Sequence, residues 1–227
     1  MSDKPLQLDR AETNGWVVLI GGGEFSFGET EEIDRFLLER LPADRRTIAF
    51  LPTASGSSEY AGHFAKYISG LAPDVRVVSV PIYRIRDARR GKNLDLLTSA
   101  GMVYIGGGVT NRLLAATNQE PFTAALKMAL RGGSIVAGIG AGAAALGVVA
   151  RDMETEHRSI PALGIVFGAA VESGFDPAQD SMLRRLMSLP NVTVGVGIPR
   201  SCALAIDGSG AASVLGNRPI AVVRKRV

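Results

Sequence analysis

The chain has 227 residues, 46% of them hydrophobic, and carries 25 Lys and Arg against 22 Asp and Glu for a formal charge of +3. That length supports one domain with a substantial core, and the single cysteine, Cys202, excludes an intrachain disulfide and a cysteine-based zinc site. Aromatic residues are only 6% of the chain, so the basic clusters at 84–92 and 224–226 read as solvated surface and not as a nucleic-acid stripe.

Residues 1–14 are polar, with no apolar signal core, and read as an N-terminal arm preceding a single domain over 15–227. No apolar run approaches the roughly 18 residues a membrane helix needs. The expectation is a cytoplasmic protein with no membrane or nucleic-acid partner. WVVLI at 16–20 is a continuous apolar run ending in Gly21, Gly22, Gly23 and Glu24, as a buried parallel strand would be. Ile33, Phe36, Leu37, Leu38 and Leu41 then recur at helical spacing behind an acidic first turn. TIAFL at 47–51 is a second strand, followed by a small polar loop at 52–57 and a helix over 59–71. A third strand is predicted at 75–80, a short helix at 94–99 and a fourth strand at 102–105, which runs into Gly106, Gly107, Gly108, Val109, Thr110 and Asn111. Phe122, Ala125, Leu126, Ala129 and Leu130 share one helical face ahead of a fifth strand from Ile135.

The fifth strand enters GIGAGAAALG at 138–147, a turn of Gly and Ala continuing as a helix start. In hydrolases a strand, a sharp turn and a helix form the nucleophile elbow, where Gly-x-Ser-x-Gly holds a strained serine at the mouth of the sheet. Gly138, Gly140 and Gly142 fit that pattern with glycine at its centre. Beyond it come a charged insertion at 151–158, an extended run at 165–171, a helix at 181–187, and strands at 192–196, 202–206, 211–215 and 220–223. The turn residues at 207–210 suit an antiparallel hairpin near the sheet edge. The fold expected is α/β, a doubly wound and mainly parallel sheet with flanking helices and a C-terminal antiparallel hairpin.

Five segments in order, GGGE at 21–24, PTAS at 52–55, IGGGVTNRL at 105–113, GIGAGAAALG at 138–147 and VGVGIPRSCALAI at 194–206, resemble the cyanophycinase and dipeptidase E family of serine peptidases, with its class I glutamine amidotransferase-like fold. The resemblance implies a catalytic serine in the elbow, a downstream histidine ahead of an Arg-rich helix, and an acidic residue. Matched to those motifs, Gly140 stands at the serine position and Gly174, before Phe175, Arg184 and Arg185, at the histidine position. Pro199 and Arg200 stand where the family has Asp-Glu, and Glu154 or Glu156 lies in the region of the acid. A serine mechanism needs a hydroxyl and a base in hydrogen-bond reach, and glycine supplies neither.

Three readings follow. The first is a catalytically degenerate member that binds an acidic small molecule or peptide through Gly107, Gly108, Thr110, Asn111, Gly140, Ala141 and Arg200, with Arg112 as a further cation. The second is an active serine-type peptidase or amidohydrolase of acidic dipeptides, with Thr110 as substitute nucleophile. Ser55, Ser57 and Cys202 are the other options by chain position; against Thr110 stands the rule that small loop hydroxyls usually satisfy backbone groups, and the cysteine falls in a strand pattern. The third is a structural subunit of an oligomer, a homodimer being what the resemblance implies. No cofactor is expected. Two distant histidines, His63 and His157, leave too few ligands for a metal.

Overall fold

The computed structural model describes residues 6–8, 13–155 and 158–225. In chain order the elements are β1 (Leu6–Gln7), β2 (Trp16–Ile20), α1 (Glu31–Glu39), β3 (Thr47–Leu51), α2 (Glu59–Leu71), β4 (Arg76–Ser79), α3 (Gly91–Ser99), β5 (Met102–Ile105), α4 (Thr110–Thr117), α5 (Glu120–Arg131), β6 (Ile135–Ile139) and α6 (Ala141–Ala145). They continue as β7 (Val149–Arg151), β8 (Ser159–Pro161), β9 (Ala169–Ser173), α7 (Ser181–Met187), β10 (Val194–Ile198), β11 (Ala203–Ile206), β12 (Ala211–Leu215) and β13 (Ala221–Arg224).

The first sheet has the order β1-β12-β11-β2-β6-β5-β3-β4, parallel from β2 to β4 and antiparallel from β11 outward. The five expected parallel strands are present. The expected hairpin is β11–β12, with Ala203 opposite Leu215, and β11 also pairs along β2. Within the segment read as an arm, β1 pairs with β12 and Leu8 is buried.

Two features depart from the single sheet expected. Of the strands after the elbow, all but β11 and β12 form a second sheet, β13-β10-β9-β7-β8, so the extended run, the strand expected at 192–196 and the last strand do not join the first. An additional helix, α4, begins at Thr110, where sequence reasoning continued the glycine loop. Leu113, Leu114, Ala116 and Thr117 are buried along it, but the helix is too short for its periodicity to stand out.

Both faces of the first sheet are covered, which is why its central strands are unbroken apolar runs. On β2, Val17 and Leu19 enter a core with α3 to α6 and the second sheet, while Val18 and Ile20 enter one with α1 and α2. The second core is aromatic. Phe64 stacks on Phe50 at 4.5 Å between ring centroids and lies 4.6 Å from Tyr104. Into it α1 inserts Asp34, which is 1% exposed and accepts hydrogen bonds from the hydroxyls of Thr30 at 2.7 Å, Tyr67 at 2.9 Å and Tyr104 at 3.4 Å.

Burial raises the Asp34 carboxyl from 3.8 to about 6, its three hydroxyl donors offsetting only part of that cost. Below about pH 4 the group is protonated in both the folded and the unfolded chain and contributes no pH dependence. Between about pH 4 and pH 6 only the folded chain holds the proton, so stability falls as pH rises, and above about 6 the full cost of burying the charge is present. A rise of about 2 units corresponds to about 3 kcal/mol. Asp34→Asn removes this titration, so its unfolding free energy is expected to improve relative to the parent by about 3 kcal/mol between pH 4 and pH 7. Urea unfolding at the two pH values checks this, and a pH-independent difference would overturn it.

Candidate functional site

The site forms where β2, β5 and β6 end and the chain turns. Gly140 connects β6 to α6 at φ 57° and ψ −113°, a conformation that L side chains rarely adopt. Its amide donates to Ile20 O at 2.9 Å, tying the turn to the end of β2. A Cβ placed on Gly140 would come no nearer than 3.9 Å to any neighbour, the Cα of Gly107. Gly174, at φ 67°, follows β9, and a Cβ there would lie 3.8 Å from Gly21 O. Gly140 and Gly174, 34 positions apart in sequence, thus converge on the end of β2, and at each a Cβ would meet its neighbours only at ordinary contact distance.

The neighbouring glycines obey a different constraint. A Cβ on Gly142 would sit 2.3 Å from Ile105 O, and one on Gly138 would sit 2.5 Å from the backbone of Gly142. These two positions let backbone lie on backbone, which no other residue allows.

The loop after β5 passes beside the elbow. Gly106 donates its amide to Leu51 O and Val109 to Ala54 O, whereas Gly107 and Gly108 between them donate to no described residue. A cavity of about 150 Å³ opens there, lined by Gly108, Thr110, Ala141, Arg151, Glu172 and Ser173 among others. An adjoining cavity of about 580 Å³ shares Arg151, Glu172 and Ser173 and extends past Gly174 to Arg185. Burial raises the Glu172 carboxyl, and the charge of Arg151 opposes that rise.

Several residues expected at the mouth are engaged elsewhere. Arg200 pairs with Glu29 at 2.8 Å, and the same carboxylate accepts the Glu24 amide, so its charge ties down the GGGE loop. Those contacts hold the Glu29 carboxyl below its usual range, the Glu24 amide first. Arg112 donates to Ala54 O and Ser55 O, each at 3.0 Å, and staples the 52–57 loop. Asn111 donates to the Asp152 carboxylate at 2.7 Å and accepts the Met153 amide at 2.8 Å, holding the loop after β7. Glu154 is exposed on that loop, and Glu156 and His157 lie outside the described residues. Asp152 is held below the usual carboxylate range by the Asn111 hydrogen bond and then by the Glu154 amide. Thr110 is 6% exposed in the first turn of α4, facing the smaller cavity. Ser55 donates to Pro52 O, Cys202 is fully buried, and His63 is exposed on α2.

Sequence reasoning missed Arg151, Glu172 and Ser173. The only signal for Glu172 and Ser173 was their place just before Gly174, at the end of an extended run. Among the described residues, no group of three or more His, Cys, Asp or Glu could hold a metal ion, and no helix is long and apolar enough to cross a membrane.

Residues 17–214 match the family model described as Peptidase family S51. An uncharacterised peptidase of Bacillus subtilis (strain 168), YgaJ, is 29% identical over 130 residues, which are 56% of this chain and 54% of that protein. The chain therefore spans about half the length of this curated relative. Among solved structures, a peptidase from an acI-B1 Actinobacterium superposes with a TM-score of 0.74 at 22% identity, covering 95% of this chain and 96% of that one. A candidate peptidase E from Listeria monocytogenes EGD-e superposes with a TM-score of 0.60 at 16% identity, covering 93% and 99%. At these identities the likeness is one of fold.

Two glycine substitutions separate the two constraints. Gly140→Ser places its Cβ without a clash and is expected to bear mainly the backbone strain, about 1–3 kcal/mol. Gly142→Ala forces overlap with the Ile105 carbonyl and is expected to cost more than about 3 kcal/mol. Denaturant midpoints check the order, and a Gly142→Ala variant as stable as Gly140→Ser would contradict the packing described.

Proposed function

Because the chain belongs to peptidase family S51, we propose that it keeps the cleft of that family without its covalent chemistry and binds an acidic small molecule or peptide there. The observation that carries this reading is Gly140. Its backbone has the strained elbow conformation and the space for a side chain, yet the residue offers no hydroxyl to attack a carbonyl. Gly174 likewise lines the cleft and supplies no base to take up a proton. Once a reactive side chain is gone, glycine is the residue that holds φ 57° without steric cost, so the turn persists.

Ligand binding needs less than catalysis does. The undonated amides of Gly107 and Gly108 and the guanidinium of Arg151 offer hydrogen bonds and positive charge to a carboxylate. Arg200 and Arg112 have no part in this reading, because one guanidinium nitrogen of each is held by Glu29 or by the 52–57 loop. Glu172 suits an ammonium group near the same place.

A second reading rests on Thr110, whose helix turn faces the cavity that Glu172 also lines. It would need the threonine hydroxyl to attack and a carboxylate to take its proton. Mass-spectrometric turnover of Asp-X dipeptides and β-aspartyl-arginine separates the two readings. The expected result is no product above the protein-free control, together with a rise in the melting temperature of several degrees at millimolar dipeptide. Product that scales with protein and disappears in Thr110→Ala would replace the first reading with the second.

A further inference from the structure

A groove of about 640 Å³ lies away from the elbow, on the side of the first sheet that α1 and α2 cover, with Phe25, Tyr67, Leu71 and Gly70 in its lining. Beside it stands Phe27, flanked in sequence by the lining residues Ser26 and Gly28. Its side chain is 83% exposed, the most of any large apolar residue among those described. The turn that carries it is firmly held. Glu24 accepts the Ser26 amide at 3.2 Å and the Ser26 hydroxyl at 2.9 Å, and the Phe27 amide reaches Glu24 O at 3.1 Å. Gly28, at φ 73°, closes the turn by donating to Phe25 O at 2.9 Å. Phe25 is thereby turned inward, its ring 5.2 Å from that of Tyr67, and Phe27 outward. A ring held out in this way stabilises nothing within its own chain, whereas a partner that covers it meets a preorganised anchor.

The charges around the groove are arranged in the same two-part way. Lys66 and His63 line it from α2, and neither forms an ion pair with a described residue. Glu31 lines it from α1. Its Oε1 is engaged by Arg35 at 2.8 Å, while its Oε2 stands beside the knob, 3.8 Å from where a Cβ on Gly28 would lie. One surface thus carries a projecting ring with a carboxylate next to it, and a recess with an unpaired ammonium group. Such a surface is complementary to itself under a two-fold rotation, which is what an isologous contact requires.

We propose that two copies of the chain associate through this face about a two-fold axis, Phe27 of each seated in the groove of the other and Glu31 of each facing Lys66 across the axis. A small aromatic anion would suit the groove and Lys66 but would leave Phe27 uncovered, so a second copy is the occupant that accounts for both. The contact is independent of how the cleft is read, since the groove and the elbow lie on opposite faces of the first sheet.

Sedimentation equilibrium of the full chain across the micromolar range tests this. The parent is expected to be a dimer, and Phe27→Asp is expected to weaken association by about 100-fold or more, because two-fold symmetry removes the anchor twice. Gly70→Trp fills the groove at a position where a Cβ meets nothing of its own chain within 4 Å, and is expected to act in the same direction. Lys66→Glu should weaken the dimer by about tenfold, and adding Glu31→Lys, which restores opposite signs across the axis, should recover most of the loss. All four positions are exposed or partly exposed, so unchanged unfolding midpoints verify that the variants fold. A parent that stays monomeric throughout overturns the proposal, as does a dimer that Phe27→Asp and Gly70→Trp leave intact. A double charge variant no better associated than Lys66→Glu alone overturns the pairing across the axis.

Discussion

The structure depends on how closely α6 can be held between two sheets. This five-residue helix, entirely Ala and Gly and entirely buried, packs against β2 and β6 of the first sheet and β7 and β9 of the second. Gly142 meets the Ile105 carbonyl, Gly138 meets Gly142, and Gly147 meets the Ala169 carbonyl, each at a distance that excludes a Cβ. With side chains at these points the sheets would have to separate, and the core they share with α3 to α5 would open. The cleft exists because the elbow is pinned from both sides.

The same tight packing explains why the site is built from backbone more than from side chains. Where chain lies on chain, little room remains for reactive groups except at positions that point outward. Gly140 and Gly174 are two such positions, and both are empty of side-chain chemistry. Around them, Arg200, Arg112 and Asn111 have become struts between loops, each holding its partner with hydrogen bonds of about 3 Å or less. The cleft is thus held rigid by residues that look functional in the sequence, and its free charges lie further along, on β7, β9 and α7. On the opposite face of the first sheet the aromatic core carries its own constraint in Asp34, a buried acid that the cleft does not use.

Much of the scaffold was legible in the sequence. Buried parallel strands are continuous apolar runs closed by small turn residues, so β2, β3, β5 and β6 stood out, and α7 occupies the expected 181–187. The hairpin β11–β12 followed from its turn residues. The second sheet was legible only as separate strands, because β7 (Val149–Arg151) and β8 (Ser159–Pro161) carry too few residues for any periodicity and the pairing of β9, β10 and β13 is a tertiary property. Nor was α4, whose start at Thr110 continues a glycine loop without a capping side chain.

By itself the sequence determined most of the order of strands and helices, and the glycines at the centre of the elbow and before Phe175. These are local properties, set by side-chain size, backbone freedom and apolar period. Tertiary structure alone decided which charges meet. It paired Arg200 with Glu29, 171 positions away, and brought Glu172 beside Arg151 in the cavity that Ala141 lines. An ion pair or a cleft wall depends on through-space distance, and residues far apart in the chain acquire such distances only when the sheets close on α6.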